Sequence, residues 1–202
     1  MTTYQGQFGS YTITPADRRE VKVYRSALVV MCGSFALGVA WALAGLPWEG
    51  LTAIYGVFCL SLGVALWTIH IYMKLLHRAL QGLWGIGVLA SVGIALRLPG
   101  PLALTVVQYP ATIWGVGFVF AALTGLLIKE TLCFRWTESS LLVPLVPLVL
   151  LAHLIGVLSL SAGQVAFVVI AGLLLTFAAR KTWQPLDPDI GDKSVFAYLK
   201  SR

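Results

Sequence analysis

His153 is the side chain whose type and position point most directly to chemistry, because it stands inside a long apolar run. In a helix that starts near Leu141 it would lie about 18 Å from the start, at a rise of about 1.5 Å per residue. An ionisable ring is costly in hydrocarbon unless a partner holds it. Three roles fit such a ring: binding a chlorophyll or haem as a cofactor ligand, relaying a proton, or hydrogen bonding to a neighbouring helix.

A second set of residues that can do chemistry is the charged residues of two short turns between apolar runs. Their opposite charges predict ion pairs that tie neighbouring helices together, which are common at a membrane surface. The alternative is an interaction site for a loop of a partner protein. A catalytic pair of Glu130 and Glu138 is a weaker alternative, because no nucleophile or metal ligand stands beside them. The candidate interaction residues are Lys129, Glu130, Arg135, Glu138, Lys74 and Arg78.

Known signatures of metal sites and enzymes are missing from the sequence. The other two histidines, His70 and His77, have no metal-binding spacing with each other or with the three cysteines. There is also no nucleophile elbow, phosphate-binding loop or dinucleotide fingerprint. The sequence therefore predicts no catalytic residue and no metal site, and a protein that is not an enzyme.

Composition sets the element type that must position these residues. The 202 residues are 58% hydrophobic and 11% charged, with a mean hydropathy of +0.87, whereas soluble domains are about a quarter charged. A membrane crossing needs about 20 apolar residues. We therefore predict an all-α fold, a polytopic membrane helical bundle that forms a single transmembrane domain over residues 1–202. The six predicted spans cover residues 26–46, 51–73, 79–96, 110–128, 141–160 and 162–179, between a polar N-terminal segment, 1–25, and a polar C-terminal tail, 180–202.

The basic residues predict how the bundle sits in the membrane. All lysines and arginines except Arg97 fall on one side of this layout, which predicts that both termini are cytoplasmic or stromal. The net charge of +6 then meets lipid headgroups, and it does not indicate nucleic-acid binding. The basic run before the first span is either an anchor of this kind or a docking site for an acidic partner or lipid. It comprises Arg18, Arg19, Lys22 and Arg25.

Two segments outside the spans carry their own signals. Residues 1–13 show no periodicity, so we expect them to be mobile or to lie along the membrane surface. Thr14-Pro15-Ala16-Asp17 predicts a helix start, with a Thr cap, Pro at the first helical position and a carboxylate three residues after the cap. The apolar stretch from Leu102 to Tyr109 is too short to cross, and it either lies in the interface or re-enters the membrane.

Small residues and prolines predict where the spans pack and bend. The third span is rich in Gly, Ala and Ser, which let helix backbones approach closely, so we expect a central, protein-buried helix. Gly117, Ala121 and Gly125, at four-residue spacing, predict a packing seam on the fourth span. Pro144 and Pro147 predict a bent or irregular start of the fifth span.

Several short motifs together resemble an uncharacterised family of integral membrane proteins from cyanobacteria and plant plastids. The opening Phe8-Gly9-Ser10-Tyr11 and the run from Thr14 to Arg19 are similar to cyanobacterial members. Downstream, the motifs are Lys129-Glu130, Cys133-Phe134, Glu138, the Pro144 and Pro147 pair, and Leu151-Ala152-His153-Leu154. The resemblance implies a thylakoid or plasma membrane of a cyanobacterium, or a plastid membrane. It carries over no activity and no catalytic residue.

Two functions fit these observations. The first is a non-enzymatic accessory or assembly factor of a photosynthetic membrane complex such as photosystem II, with photosystem subunits or other membrane proteins as partners. His153 would then contact a pigment such as chlorophyll. The second is a small-solute or ion transporter, which six spans and the stretch from Leu102 to Tyr109 favour. The near absence of charge within the spans argues against transport.

Overall fold

Six long helices form the body of the protein in a computed structural model that describes residues 2–200. All six are long and apolar enough to cross a membrane, which confirms the predicted all-α polytopic bundle. The long helices are α1 (Pro15–Leu43), α2 (Trp48–Thr68), α3 (Lys74–Arg97), α5 (Ile113–Phe134), α6 (Thr137–Leu154) and α7 (Leu160–Trp183). The shorter elements are strands β1 (Thr2–Gly6) and β2 (Gly9–Ile13), and helices α4 (Leu102–Gln108), α8 (Asp187–Ile190) and α9 (Lys193–Lys200).

The N-terminal residues form a β-hairpin, so the expectation of a mobile segment was wrong for residues 2–13, while the alternative of a segment along the membrane surface stays a prediction. Strands β1 and β2 pair antiparallel from Thr2 opposite Ile13 to Gly6 opposite Gly9. Gly9 has a φ of +128°, a conformation that favours glycine at the tight turn. Ile13 is buried against Val21 and Ile190, and this small apolar cluster holds the hairpin in place. Met1 lies outside the described residues.

Helix α1 begins as the sequence predicts. The Thr14 hydroxyl accepts a hydrogen bond from the Asp17 N–H at 3.3 Å, and the Asp17 carboxylate accepts one from the Thr14 N–H at 2.7 Å. This reciprocal capping box, with Pro15 at the first helical position, satisfies backbone donors that the helix itself leaves free. The helix then continues for 29 residues, through the basic run and into the first span.

Helix α3 lies at the periphery, so the prediction of a central, protein-buried third span was wrong. Only 17% of its membrane window is buried, against 28–39% for the other spans. Gly87 meets the backbone of Val119, but an added side chain at Gly82, Gly85 or Gly93 would meet nothing within 4 Å. Small residues therefore allow one close approach on α3 without placing the helix at the centre.

Helix α5 contacts α2, α3 and α6, and its buried stripe differs from the predicted seam. Gly125 does pack against Leu80 of α3, whereas Ala121 is exposed. The fully buried apolar positions are Val119, Ala122, Leu123, Leu126 and Leu127. Large apolar side chains, more than small ones, thus fill the centre of the bundle.

The fifth span is placed differently from its predicted range of 141–160. Helix α6 starts at Thr137 and ends at Leu154, so Pro144 and Pro147 lie inside the helix and not at its start. Each proline lacks the N–H that would bond the carbonyl four residues earlier, at Ser140 and Val143. Gly156 then turns the chain with a φ of +73°.

The stretch from Leu102 to Tyr109 contains the short helix α4, followed by a 3₁₀ turn at Pro110–Thr112. Leu102 and Thr105 are buried, and the Ala103 N–H donates to the Thr52 hydroxyl of α2 at 3.2 Å. Helix α4 therefore packs against the bundle beside the first turns of α2. We call this the far end of the bundle, and the end that carries both termini the cap end.

Candidate functional site

Charged side chains from four helices meet in the interior at the cap end. Lys129 and Glu130 come from the last turns of α5, Lys181 from the last turn of α7, Asp189 from α8 and Arg25 from α1. All except Lys129 are buried, and the Lys129 side chain is only 11% exposed. We call this group, together with Tyr24, the charge cluster.

Glu130 lies at the centre of the charge cluster and is completely buried. Its Oε1 atom accepts hydrogen bonds from the Tyr24 hydroxyl at 2.7 Å and the Lys129 ammonium at 2.8 Å. Its Oε2 atom accepts one from Lys181 Nζ at 2.6 Å. Both oxygens are therefore in use, as a buried carboxylate requires.

Lys181 joins the two carboxylates of the cluster and is also completely buried. Its ammonium donates to Glu130 and to Asp189. It also stands over the ring of Phe134, 4.0 Å from the ring centroid, and 5.5 Å from that of Trp136. A desolvated ammonium gains from the negative ring faces as well as from the carboxylates.

Arg25 fixes the C-terminal segment onto α1. Its Nε donates to Asp189 Oδ2 at 2.7 Å, and its other nitrogens donate to the carbonyls of Gln184 and Pro185. These carbonyls lie where α7 has ended and Pro185 prevents helix continuation. The planar guanidinium can reach several acceptors at once, which a lysine ammonium at this place could not do in the same geometry.

The charge cluster holds three cations and two carboxylates, so its formal charge is +1. Removing one partner of a buried pair costs about 3–5 kcal/mol, but replacing a whole buried pair by apolar residues is often neutral. The cluster is therefore better explained by the geometry that it imposes on α1, α5, α7 and α8 than by a net gain in stability.

A second ion pair lies beside the cluster, between Glu138 of α6 and Arg180 of α7. Glu138 is buried and Arg180 is half-exposed, and their closest side-chain atoms are 3.3 Å apart. Glu138 Oε1 nevertheless makes no hydrogen bond with the residues described, and the same holds for Thr131 Oγ1 and Gln184 Oε1. This corner next to the cluster is thus less completely satisfied than its centre.

The structure brings together only part of the predicted interaction set. Lys129, Glu130 and Glu138 do form ion pairs, but two of their partners, Lys181 and Arg180, come from the last turn of α7. Arg135 ends α5 in the left-handed conformation, with φ 53° and ψ 36°. Within residues 2–200, Arg135, Lys74 and Arg78 make no ion pair.

Sequence reasoning missed Tyr24, Arg25, Lys181 and Asp189 as members of one site. It assigned Arg25 and Lys181 to the general cationic bias of one membrane side. One signal was present: Arg18 and Arg25 lie seven residues apart on one helix face, and the tail holds Asp187 and Asp189 as carboxylates to match. Both pairings occur, Arg18 with Asp187 at 3.1 Å and Arg25 with Asp189 at 2.6 Å.

The termini form a folded layer above the cluster, which we call the surface cap and define as residues 2–13 and 187–200. The Tyr4 hydroxyl donates to Asp187 at 2.8 Å, and the ring of Phe8 stacks on that of Tyr198. Lys193 pairs with Asp17 at 2.8 Å. The hairpin, α8 and α9 therefore pack on one another and on the start of α1.

Two carboxylates of the surface cap are held in their charged form. Hydrogen bonds from Tyr4 and Arg18 lower the pKa of Asp187 below its usual range. The hydroxyl of Ser194 and the backbone N–H of Gln7 do the same for the pKa of Asp192. The Asp192 N–H also donates to the Tyr72 hydroxyl at 2.6 Å, which connects the cap to the turn between α2 and α3.

His153 lies in the last turn of α6 at the far end, and its surroundings differ from those of a ring deep in a span. Its Nε2 is 3.0 Å from the Val106 carbonyl of α4. A carbonyl only accepts, so Nε2 carries the proton and donates, and a neutral ring then has its lone pair on Nδ1. The hydrogen-bonding role is the one that this geometry displays, while the pigment contact stays a prediction.

The other two histidines lie at the cap end. His70 Nε2 is 3.4 Å from Glu20, although burial lowers the pKa of His70 below its usual value. His77 Nε2 hydrogen bonds to the Leu66 carbonyl at 2.6 Å. Across residues 2–200, no three His, Cys, Asp or Glu side chains converge as metal ligands would.

Comparison with known proteins finds one match. A family model described as an uncharacterised integral membrane protein family, DUF2301, matches residues 64–198. The matched region contains α3 to α8 and therefore four members of the charge cluster, but neither Tyr24 nor Arg25. No curated protein and no solved structure matches the chain.

Proposed function

We propose, from the premise that this chain belongs to the DUF2301 family of uncharacterised integral membrane proteins, that it is a non-enzymatic accessory or assembly factor of a membrane protein complex. The finer form of the proposal is a photosynthetic complex such as photosystem II. Its setting would be the thylakoid or plasma membrane of a cyanobacterium, or a plastid membrane.

The observation that carries the proposal is the attachment of the surface cap to the bundle. Arg25 and Lys181 both hold Asp189, and Lys181 also holds Glu130. The cap therefore keeps a defined orientation relative to the spans. A preformed surface suits docking, because little conformational freedom remains to be lost when a partner binds.

Cations beside the cap that form no ion pair within residues 2–200 favour a partner with an acidic loop. Lys74 and Arg78 start α3 next to the turn that Tyr72 connects to the cap, and both are exposed. Arg135 follows Phe134 at the edge of the charge cluster and is also exposed. Cations of this kind steer and orient an oppositely charged partner more than they add affinity.

The test is a pull-down of the tagged protein from its native membrane in a gentle detergent, with the partners identified by mass spectrometry. Arg78→Ala and Arg97→Ala form a matched pair, since both arginines are exposed and lie near opposite ends of α3. We expect Arg78→Ala to reduce the recovery of the partner up to about fivefold, the effect of one exposed charge pair. Arg97→Ala should leave recovery unchanged. The absence of any partner, or equal loss with both variants, would contradict the proposal.

The pigment contact is tested separately in the same eluate by its absorption spectrum. If His153 holds a chlorophyll, its free Nδ1 is the ligating atom, and His153→Ala should remove the pigment band. His77→Ala is the control, because that histidine also hydrogen bonds to a helix carbonyl but lies at the cap end. A colourless wild-type eluate would remove the pigment contact and leave the docking role to be decided by the partners.

Transport is the second candidate, and the buried Glu130–Lys181 pair near the ends of two spans is what favours it. Ionisable groups within spans mark ion pathways in many transporters. However, the cavity lined by Phe35, Phe120 and Phe167 has a volume of only about 10 Å³, too little for more than one water molecule, so the helices would have to separate. Uptake of ions or solutes by proteoliposomes that Glu130→Gln abolishes would favour transport.

A further inference from the structure

An open groove runs down the outside of the bundle between α1 and α2. Its volume is about 430 Å³, and its lining includes Arg19, Lys22, Val23, Ser26, Val30 and Val64. The two cations and Val23 lie in the first turns of α1, and Val30 and Val64 lie within the apolar runs of α1 and α2. We call this the α1–α2 groove. It is polar and basic at its mouth and apolar below.

The lining residues of α1 share one face of the helix. Positions 19, 22, 23, 26 and 30 follow the three- and four-residue spacing of a single helical stripe. Arg18 and Arg25 lie on a different face and bond Asp187 and Asp189 of the cap. The basic run of α1 is therefore divided between two faces, one that holds the cap and one that lines the groove.

The cations of the groove have no acidic partner among the residues that the structure describes. Arg19 and Lys22 are exposed and make no ion pair with any residue in the range 2–200. Ser26, also exposed, lies between them and Val30 along α1 and makes no hydrogen bond within the same range. Two free positive charges and a free hydroxyl therefore meet above an apolar channel.

The dimensions and depth of the groove fit a lipid. Lys22 and Val30 are eight positions apart, which is about 12 Å along a helix axis. The apolar run of α1 begins at about Ser26, so the cations and Val23 belong at headgroup level and Val30 at the level of the acyl chains. Anionic headgroups attract membrane-surface lysines and arginines by about 1 kcal/mol each.

We propose that the α1–α2 groove binds one anionic phospholipid from the surrounding leaflet. Its phosphate lies between Arg19 and Lys22, its glycerol ester oxygens accept a hydrogen bond from Ser26, and one acyl chain follows Val30 and Val64. The site is independent of the docking role, since it lies on a helix face that does not contact the cap.

The first experiment measures binding of phosphatidylglycerol and phosphatidylcholine to the full chain, purified in a neutral detergent, by native mass spectrometry. Arg19→Ala/Lys22→Ala should weaken phosphatidylglycerol binding about thirtyfold, the effect of two charges near the surface. Lys74→Ala/Arg78→Ala removes the same charge from the same end outside the groove and should change binding less than threefold. Equal weakening by both double variants would overturn the proposal, because it would show general surface attraction only.

The second experiment tests the acyl channel while leaving the charges intact. Ser26→Phe fills the groove, whereas Ser140→Phe places the same side chain on an exposed site of α6. We expect Ser26→Phe to abolish preferential phosphatidylglycerol binding and Ser140→Phe to preserve it. Glycerol phosphate, which has no chains, should fail to displace the lipid. Unchanged binding by Ser26→Phe, or displacement by glycerol phosphate, would overturn the lipid assignment. Both variants are expected to elute as the wild type does in size-exclusion chromatography.

Discussion

The cap end and the far end of the bundle are held together by different interactions. Ion pairs at the cap end join α1, α5, α6, α7, α8 and α9. At the far end, the described contacts are neutral hydrogen bonds, such as those from Trp41 to the Pro47 carbonyl at 2.8 Å and from His153 to the Val106 carbonyl. The difference shows that cations which set membrane orientation can also build a folded layer at the membrane surface. The far end, with a single arginine, relies on neutral hydrogen bonds.

The largest expected effect comes from Lys181→Met, which leaves Glu130 and Asp189 buried without their shared cation. We expect a loss of about 3–5 kcal/mol in the free energy of unfolding, because two buried carboxylates each lose one of their two cationic partners. Denaturant unfolding in a mild detergent measures it. Lys74→Met, the same change at an exposed site of the cap end, should cost less than about 1 kcal/mol. Similar losses for both would show that the charge cluster does not constrain the cap end.

A smaller effect is expected from Arg25→Lys, which keeps the charge but loses the branched contacts to Asp189, Gln184 and Pro185. Hydrogen bonds to charged groups contribute about 1.5–3 kcal/mol, so this variant should loosen the C-terminal segment by about that amount. Hydrogen exchange should become faster in residues 184–200 and stay unchanged in residues 98–112. Arg19→Lys, on the groove face, is the control, in which hydrogen exchange should stay unchanged in both ranges. Faster exchange at both ends would argue against separate stabilisation of the two ends.

At the far end, His153→Ala should cost about 1 kcal/mol, the net contribution of one neutral hydrogen bond. Hydrogen exchange should rise in α4, which loses its contact through Val106, and not in the surface cap. His77→Ala should leave α4 exchange unchanged. If His153→Ala instead loosens the cap, the two ends are coupled more strongly than their contacts indicate.

The smallest expected effect is a pH dependence confined to the cap end. The pKa values of Asp187 and Asp192 are lower in the folded protein than is usual, so their contribution to stability is complete above about pH 4. It is lost as the pH falls through the lower, folded-state values, because the protonated carboxyls no longer accept the same charge-assisted bonds. Hydrogen exchange in residues 2–13 should therefore accelerate below about pH 4, ahead of that in residues 98–112. Asp187→Asn/Asp192→Asn should remove this difference, and its persistence in the double variant would assign the effect to other groups.

Much of the helix layout could be predicted from short-range sequence patterns, and some of it could not. The apolar runs predicted all six crossing helices, and the Thr14 to Asp17 motif predicted the start of α1, because both signals depend on near neighbours in the chain. The hairpin of residues 2–13 gave no such signal, because its apolar residue Ile13 finds its partners in Val21 and the distant Ile190. The fifth span was predicted too late in the chain, because hydropathy marks the apolar run from Leu141 and not the polar residues Thr137 to Ser140 with which α6 begins.

The candidate site shows the same difference between what near neighbours in the chain predict and what distant residues decide. Sequence alone marked Lys129, Glu130 and Glu138 as charges that need partners, since burying them unpaired in a membrane protein is costly. Only the tertiary structure supplied those partners, because Lys181 lies 51 residues from Glu130, and Asp189 lies 164 residues from Arg25.

The position of α3 also depended on the tertiary structure, although its glycines suggested a central place. Lipid and protein are equally apolar, so hydropathy does not distinguish a lipid-facing surface from a packed one. Composition and charge asymmetry thus determined the class of the protein, the number of crossings and the predicted orientation. The packing of the helices decided which charges meet, which face holds the cap and which face is left open beside Arg19 and Lys22.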